Sequence, residues 1–409
     1  MSLVLLKSEA PAYGGFSIAK LDGKIVMLKG AVPGETVEAA IDEEKKDYCR
    51  ASVVKVIAPS PDRVEPSCPY FGTCGGCQLQ YITYQRQGAI KEEILRESLK
   101  RLAKIDLRLS SPLVHDTPWH YRFRGQFKAA RGEIGFYKEK TMDVIDIEAC
   151  PLMREEVNEY FRRAKVLLRN DDIKELHISF GNGAVALLKV PASRNDWNAI
   201  AARLRDAGFS GVAVEMDKRK LLHSGSDHIM LDLDGLHYFV SPMSFFQSHW
   251  ELNRVVVRFV KDTLQPLAGK RILDLYSGAG NFSLPLAREA GEIVAVEENP
   301  SAIKDGRRNL EMNDIRNCRF VKSTAEHLQV KDPVDILITD PPRLGLSNRA
   351  IEKVLATQPE KIVYISCNPT TLARDLKKLI MKYEIESVHM IDFFPQTYHI
   401  ESLTFLRIR

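Results

Sequence analysis

The segment KIVYISCNPTTLARD, residues 361–375, delivers a cysteine directly after an apolar run. The residues before Ser366 have the composition of a parallel strand that is covered on both faces, and the Asn-Pro pair after Cys367 forbids a smooth continuation. The thiol is therefore expected at the carboxyl end of a strand, the edge where ligands and chemistry collect in open α/β sheets. The alternative is a buried cysteine that behaves as a small hydrophobe, but the polar neighbours Ser366 and Asn368 weigh against it.

Three earlier strand-like runs also end in polar motifs. The first leads into Tyr276 and the Gly-Ala-Gly turn at 278–280, where the missing side chains let the backbone approach a ligand, and Ser283 in place of a third glycine disfavours NAD. The second ends at Glu297, about 20 residues beyond the turn, where a carboxylate can accept hydrogen bonds from ribose hydroxyls. The third ends at Asp340. This order predicts a doubly wound, Rossmann-like α/β domain over residues 236–409.

Length and composition indicate a multidomain cytoplasmic protein. The 409 residues exceed what one core usually holds, and 44% hydrophobic with 27% charged residues is ordinary for a globular chain. No apolar stretch approaches the roughly 20 residues of a membrane span, and the N-terminus has no basic leader. The net charge of +4 does not by itself argue for nucleic acid, although residues 96–131 carry nine Lys/Arg against three Asp/Glu.

Two further domains are expected before the α/β domain. Residues 1–60 alternate short apolar runs with Gly-containing turns, which predicts a small β-barrel. Such barrels often bind nucleic acid, but eight Lys/Arg balance eight Asp/Glu over residues 1–58, so a purely structural barrel remains an alternative. Residues 61–235 are expected to form a compact α+β domain, with an amphipathic helix from Tyr84 to about Lys104 and a second helix from Arg194 to Ala207.

Cysteine spacing in the middle region indicates a metal centre. Cys68, Cys74 and Cys77 lie within ten residues and the last two flank a Gly-Gly pair, while Cys150 repeats the Cys-Pro setting of Cys68. In a reducing compartment such clusters serve metal ligation or catalysis. Four thiolates suit zinc or an iron–sulfur cluster, and the spacing lacks the two C-x2-C knuckles typical of zinc, which favours a cluster.

A stretch of aromatic and basic residues follows the first predicted helix. In a strand, Arg122, Arg124 and Lys128 would share one face while the aromatic residues between them share the other. The stretch is either a strip that neutralises phosphates or the solvated face of a sheet edge.

At this point the chain resembles the RNA (uracil-5-)-methyltransferases that use S-adenosylmethionine, over nearly its whole length. Residues 14–37 resemble the small RNA-binding barrel, called TRAM, that precedes several RNA-modifying enzymes. The other shared motifs are SFFQ (244–247), DLYSGAGNFSL (274–284), VEENP (296–300), DPPRLGL (340–346), SCNPTTLARD (366–375) and FFPQTYHIES (393–402).

The resemblance implies roles for individual residues. Cys367 would be the nucleophile and Glu401 the general base. The methyl-donor site would be lined by Gln247, Tyr276, Asn281, Glu297 and Asp340, and a [4Fe-4S] cluster would be held by Cys68, Cys74, Cys77 and Cys150. The chain departs from the family at His249, where asparagine is usual, and at Thr324, where an acidic residue is usual. The expected reaction is methylation of carbon-5 of a uridine in 23S rRNA by a monomer; the alternative substrate is the T-loop uridine of tRNA.

Three other functions are less consistent with these residues. Methylation of cytosine would need the same nucleophile, but the element around Glu401 favours uracil. An RNA-binding or cluster-carrying protein with a relict fold is disfavoured by the intact Cys367 and Glu401. Radical chemistry usually needs a C-x3-C-x2-C loop, whereas this chain has C-x5-C-x2-C. Phe393, Phe394 and Tyr398 are candidates to stack on a flipped base, or else belong to the core.

Overall fold

The computed structural model describes residues 3–191, 196–217, 219–328 and 332–409. Its strands form an N-terminal sheet, a middle sheet, a two-stranded hairpin and a C-terminal sheet. None of the helices in these ranges is both long enough and apolar enough to cross a membrane. The predicted combination of a β-rich start, a mixed centre and a Rossmann-like end is confirmed.

The N-terminal sheet has six strands in the order β1-β5-β6-β4-β3-β2. Strand β1 also contacts β3, so the sheet curves around a small core of its own that includes Val26, Leu28 and Val37. The strands are β1 (Leu3–Lys7), β2 (Ala10–Ala12), β3 (Phe16–Leu21), β4 (Lys24–Lys29), β5 (Thr36–Glu44) and β6 (Tyr48–Ala58).

The middle sheet has seven strands in the order β13-β12-β11-β10-β7-β8-β9, with two helices packed on it. The predicted second helix begins at Trp197, and its expected first residues, Arg194 and Asn195, lie outside the described residues. The elements are β7 (Arg124–Ala130), β8 (Glu133–Tyr137), β9 (Val144–Asp146), α2 (Glu155–Leu168), β10 (Glu175–Phe180), β11 (Ala184–Lys189), α3 (Trp197–Asp206), β12 (Gly211–Met216) and β13 (Arg219–Gly225).

The C-terminal sheet places the predicted motifs along one edge. Its order is β18-β17-β16-β19-β20-β22-β21; the first five strands are parallel, and β22 runs antiparallel to both neighbours. The elements are α4 (Trp250–Thr263), β16 (Arg271–Leu275), α5 (Ser283–Ala287), β17 (Glu292–Glu297), α6 (Pro300–Met312), β18 (Cys318–Lys322), β19 (Ile336–Thr339), α7 (Asn348–Thr357), β20 (Lys361–Ser366), α8 (Pro369–Leu379), β21 (Tyr383–Ile391) and β22 (Glu401–Ile408).

Two earlier elements pack on the C-terminal sheet. Helix α1 (Tyr84–Ser98), extended by a π-helical turn over Leu99–Ala103, contributes Leu95 and Leu99 to the apolar cluster that contains α8. The hairpin β14 (Ile229–Leu233) and β15 (Leu236–Val240) shares a core with α4. The segments that flank the middle sheet therefore tie it to the C-terminal sheet.

Candidate active site

Cys367 lies where β20 ends and α8 begins. The Asn368 side chain caps α8 by accepting a hydrogen bond from the amide of Thr370 at 3.0 Å, and Pro369 occupies the first helical turn, where its missing N–H costs nothing. The chain must therefore turn sharply at the cysteine. Its thiol is partly exposed at the edge of the sheet.

Two acidic side chains lie beside this thiol. Ser366 pairs with Ser402 across β20 and β22, so Glu401 is the cross-strand neighbour of Cys367, and Asp340 follows the adjacent strand β19. Burial, together with the negative charges of Glu401 and Asp340, raises the pKa of Cys367 to about 12. Burial and Asp340 also raise the pKa of Glu401 well above its usual range, and burial raises that of Asp340 to about 7. A negative charge on either Glu401 or Asp340 thus makes ionisation of the Cys367 thiol less favourable.

A cation offsets part of this repulsion. Arg343, three residues after Asp340, lowers the pKa of both Cys367 and Glu401 against the larger effect of their burial. Its backbone carbonyl accepts hydrogen bonds from the Asn368 amide and the Thr371 hydroxyl, both at 3.4 Å, which fixes the Arg343 loop to the nucleophile loop. Arg343 belongs to the DPPRLGL motif, but the sequence alone assigned no role to it.

The glycine turn after β16 forms the floor of a second part of the site. Gly278 has a φ of +55°, and a Cβ added to it would meet nothing within 4 Å, so open space lies above the turn. Its amide donates to the Glu297 carboxylate at 2.9 Å, and the amides of Glu298 and Asn299 donate to the other oxygen of that carboxylate. The acidic group predicted at the end of the second strand therefore also holds the turn.

Asp274 is a site residue that the sequence reasoning missed. It is 1% exposed, one carboxylate oxygen accepts the Ser283 hydroxyl at 2.5 Å, and the other has no partner among the described residues. Burial raises its pKa to about 7, helped by the charges of Asp340 and Glu297. A carboxylate inside the apolar strand Arg271–Leu275 is the signal that would have revealed it.

The remaining predicted donor-site residues occupy different surroundings. Gln247 lines a cleft of about 930 Å³ between the middle and C-terminal sheets, together with Asn299 and Phe394. Tyr276 is half-buried in the left-handed region at a φ of +60°. Asn281 exchanges amide hydrogen bonds with Asn253 of α4, at 2.7 and 3.0 Å, so its side chain fastens the glycine turn to that helix.

Helix α6 supplies two further anchors that no sequence pattern indicated. Asp305 accepts hydrogen bonds from the hydroxyls of Ser241 and Ser244 and so fixes the loop that precedes Gln247. Asn309 accepts from the amide of Phe239 at 2.7 Å and donates to the carbonyl of Ala279 in the glycine turn at 3.2 Å. Both anchors join segments that are 30 to 70 residues apart in sequence.

Comparison with known families explains this combination. Residues 83–409 match the family described as tRNA (Uracil-5-)-methyltransferase, and residues 3–54 match the TRAM domain. The chain belongs to the tRNA (uracil-5-)-methyltransferase family. The expected resemblance is thus confirmed for four-fifths of the chain, and the N-terminal sheet is a TRAM domain.

Individual relatives agree with this assignment. An uncharacterised RNA methyltransferase of Aquifex aeolicus is 37% identical, covering 99% of this chain and 98% of that protein. A 23S rRNA (uracil(1939)-C(5))-methyltransferase of Shewanella amazonensis is 32% identical, covering 99% and 96%. The solved tRNA (uracil-54, C5)-methyltransferase of Pyrococcus abyssi, in complex with S-adenosyl-L-homocysteine, is 25% identical with a TM-score of 0.78, covering 98% and 100%. The chain is an S-adenosylmethionine-dependent RNA (uracil-5-)-methyltransferase.

The four predicted ligand cysteines of this methyltransferase line one cavity. Cys68, Cys74, Cys77 and Cys150 enclose about 80 Å³ of space beside Arg122. Within the described ranges, however, no three His, Cys, Asp or Glu side chains are close enough together to hold a metal ion. The structure therefore brings the four cysteines to one cavity without a ligand group that fits a single metal ion among the described residues.

Neither of the two alternatives for residues 119–128, a phosphate-neutralising strip or the solvated face of a sheet edge, describes the contacts of Arg124 and Lys128, and β7 lies inside its sheet between β10 and β8. Strand β7 begins only at Arg124, whose guanidinium donates to the carbonyls of Ser244 and Pro242, at 2.9 and 3.1 Å. Burial lowers the pKa of Arg124 to about 10. Lys128 forms an ion pair with Glu175 at 2.6 Å. Of the three cations, Arg122 alone lines both the cysteine cavity and the large cleft.

The loop before Glu401 is held by a buried ion pair. The Lys91 ammonium of α1 donates to the Asp392 carboxylate at 2.7 Å and to the carbonyl of Phe394 at 3.0 Å, and both charged side chains are at most 1% exposed. Phe393 of this loop lies in the core, whereas Phe394 faces the cleft. The loop that leads to the proposed base is thus fixed by a helix 301 residues upstream.

We expect Lys91→Ala to destabilise the enzyme by about 3–5 kcal/mol, because it leaves the Asp392 carboxylate buried without a partner. Thermal unfolding followed by circular dichroism measures the effect. The matched control is Lys100→Ala, whose partner Asp106 is 66% exposed and whose loss should cost no more than about 1 kcal/mol. Equal losses in the two variants would contradict the account of this loop.

Proposed function

We propose that this enzyme transfers a methyl group from S-adenosylmethionine to carbon-5 of a uridine in 23S rRNA, through a covalent bond between Cys367 and carbon-6 of the base. The observation that supports the mechanism most is the position of Cys367, directly after β20, next to Glu401 at the start of the neighbouring strand β22, with Asp340 also acting on the thiol. A nucleophile and a carboxylate therefore lie close together at one edge of the sheet.

The reaction uses Cys367 first and Glu401 second. Carbon-5 of uracil is a poor nucleophile. Addition of the Cys367 thiolate to carbon-6 converts the ring into an enolate, and carbon-5 of this enolate can accept the methyl group. After transfer, Glu401 removes the proton from carbon-5, and elimination breaks the sulfur–carbon bond and frees the thiol. The raised pKa of Glu401 suits this step, because a carboxylate with a raised pKa is a stronger base. A stacked uridine must be flipped outward to reach the thiol.

The residues around the glycine turn fit the methyl donor. The space over Gly278 would take the donor, the Glu297 carboxylate would face its ribose, and Gln247, Tyr276, Asn281 and Asp340 would complete the wall. When bound, S-adenosylmethionine supplies the methyl group as a cationic electrophile. The acidic side chains Asp274 and Asp340 suit such a cation, because a nearby positive charge stabilises their ionised forms.

The two carboxyl groups of Asp274 and Asp340 predict that binding of S-adenosylmethionine depends on pH. Asp274 and Asp340 have pKa values of about 7, so raising the pH from 6 to 8 ionises them and should tighten binding of S-adenosylmethionine by about tenfold. Titration calorimetry over this range measures the effect. S-adenosylhomocysteine, which lacks the sulfonium charge, is the control and should respond less. The same pH dependence for both ligands would contradict the role of the two carboxylates.

The cysteine cavity is proposed to hold a [4Fe-4S] cluster. The four thiols of Cys68, Cys74, Cys77 and Cys150 supply its usual ligand set, and the steps described for Cys367 and Glu401 need no electron from it. Its contribution is therefore assigned to structure rather than to the reaction.

We expect anaerobically purified enzyme to be brown and to contain iron and sulfide, and Cys74→Ser to lose both. Absorption spectra and elemental analysis measure this. Cys49→Ala, in the TRAM domain and remote from the cavity, is the control that should keep the colour. A colourless protein that contains zinc would overturn the cluster assignment without affecting the methyl-transfer chemistry.

The choice of rRNA rests on relatives of the chain. Several curated relatives that align with nearly all of this chain are 23S rRNA (uracil(1939)-C(5))-methyltransferases. The second candidate is tRNA, because the solved structure with a TM-score of 0.78 is a tRNA (uracil-54, C5)-methyltransferase. We place the reaction in the cytoplasm, where cysteines stay reduced, and assign it to a monomer. The domain bounds proposed from the sequence are 1–60, 61–235 and 236–409, with α1 and β14 of the second range packed on the third.

Incubation with labelled S-adenosylmethionine and RNA from cells that lack uracil-5 methylation tests the substrate. Nucleoside analysis of separated fractions should find 5-methyluridine in 23S rRNA and none in tRNA. Label in tRNA alone would replace the first candidate with the second. Label in 5-methylcytidine would overturn the assignment to uracil.

A further inference from the structure

The TRAM domain reaches the proposed active site through one side chain. Tyr13 lies between β2 and β3, and its hydroxyl accepts a hydrogen bond from Nη2 of Arg343 at 3.2 Å. Its ring packs on the apolar cluster of the C-terminal sheet and meets the Tyr398 ring edge-on, with 5.6 Å between centroids. Close packing extends to Gly15, where an added Cβ would stand 2.9 Å from Gln78. The barrel is therefore docked tightly at this point.

The same nitrogen of Arg343 has a second phenol partner. Nη2 also donates to the Tyr398 hydroxyl at 3.4 Å, so one hydroxyl from the TRAM domain and one from the loop before Glu401 accept from the same guanidinium nitrogen. Both partners are neutral, so they orient the cation without cancelling its charge. An aspartate or glutamate in either place would neutralise Arg343 and add to the repulsion around Cys367.

Arg343 is the cation in a group that is otherwise acidic. The charged groups that act on Cys367 are Glu401 from β22, Asp340 after β19 and Arg343 itself, with the Tyr13 phenol facing them from the barrel. The loop that carries Arg343 is fastened to Asn368, the residue after the nucleophile. With its backbone fixed in this way, the orientation of the Arg343 side chain decides how strongly its charge acts on the thiol.

We propose that Tyr13 is a positioning residue of the active site, which holds Arg343 beside Cys367 so that the thiol can ionise when the RNA base arrives. The TRAM domain then serves the chemistry as well as any contact with RNA. This inference rests on the proposed function, in which Cys367 is the nucleophile. Since carboxylates disfavour the thiolate and the guanidinium favours it, the position of Arg343 decides how much thiolate forms at a given pH.

Alkylation of Cys367 tests the proposal without RNA or methyl donor. The full-length enzyme is treated with iodoacetamide between pH 7 and 10, and modification of the peptide that carries Cys367 is followed by mass spectrometry. Tyr13→Phe, which keeps the ring and removes the hydroxyl, should slow alkylation roughly threefold at each pH in this range. Tyr48→Phe, the same change elsewhere in the barrel, should match the wild type.

A double-mutant cycle separates positioning from general loosening. Arg343→Ala should slow alkylation at least as much as Tyr13→Phe, and adding Tyr13→Phe to it should have no further effect. Tyr398→Phe removes the other hydroxyl and provides a second route should Tyr13→Phe fold poorly. The proposal is overturned when Tyr13→Phe behaves like Tyr48→Phe, or when its full effect persists without Arg343.

Activity measurements distinguish failure of this proposal from failure of the proposed function. Tyr13→Phe should lower kcat for methyl transfer while leaving the Kd for S-adenosylmethionine unchanged, because the glycine turn is not touched. Methyl transfer that survives Cys367→Ala would refute the proposed mechanism whatever the alkylation rates are. If Tyr13→Phe is alkylated at the wild-type rate while Cys367→Ala is inactive in methyl transfer, only the role of Tyr13 is refuted.

Discussion

Cys367→Ala is expected to lower methyl transfer at least about ten-thousand-fold, the size of effect seen when a covalent nucleophile is removed. Without addition to carbon-6, carbon-5 of the uracil stays too electron-poor to take the methyl group. Neither Glu401 nor Asp340 can substitute for the thiol, because a carboxylate is a much weaker nucleophile than a thiolate. Release of label from S-adenosylmethionine into RNA measures the loss.

The controls for this variant separate chemistry from folding. Cys49→Ala removes a buried thiol from the TRAM domain and should retain the wild-type rate. The Cys367→Ala variant itself should bind S-adenosylmethionine normally, because the glycine turn at 278–280 does not depend on the thiol. Retained transfer with wild-type kcat would exclude covalent catalysis by Cys367.

Glu401→Gln is expected to stop turnover at a different stage. The amide keeps the size of the side chain and cannot take the proton from carbon-5, so the base should be methylated once and then remain bonded to Cys367. Turnover should fall by roughly a thousandfold, while about one methyl group per enzyme is still transferred. A denaturing gel should show RNA joined to protein.

Two comparisons sharpen the Glu401 result. Glu352→Gln changes an exposed glutamate on α7 and should leave turnover unchanged and no RNA-linked band. Cys367→Ala combined with Glu401→Gln should also form no linked species, because the sulfur is absent. A Glu401→Gln enzyme that turns over normally would assign the proton transfer to another group.

The strand ends of the C-terminal domain were predictable because parallel strands leave a simple record in sequence. The run before Ser366 is buried throughout, and the Asn-Pro pair after Cys367 does start a helix. Strand β17 ends at Glu297 and β19 directly precedes Asp340, as the apolar runs indicated. Because parallel strands align their carboxyl ends, four linear motifs determined which edge of the sheet carries the site.

Contacts between distant segments were not predictable. The amphipathic pattern of α1 predicts that Lys91 is a solvated cation. In the structure Lys91 is buried and pairs with Asp392, which is also buried and lies 301 residues away. The alternation of aromatic and basic residues places Arg124 on a basic face. In the structure its guanidinium instead donates to two carbonyls in the loop before Gln247. A single sequence records which residues are polar but not which distant segment the fold brings against them.

The active site also contains some residues that the sequence predicts and others that it does not. Cys367 and Glu401 belong to short motifs that carry their chemistry in their residue types. Tyr13 and Arg343 are 330 residues apart, and neither the tyrosine nor its surroundings mark it as part of a catalytic site. Only the docking of the barrel on the C-terminal sheet shows that the first strands of the chain contribute to the environment of the nucleophile.

Mass spectrometry of the Glu401→Gln enzyme, after reaction with rRNA and S-adenosylmethionine and digestion with nuclease and protease, tests the central claim most directly. Covalent catalysis predicts a peptide that carries a methylated uridine nucleotide on Cys367. Modification of a different residue, or 5-methyluridine accumulating in the RNA with Cys367 unmodified, would contradict it.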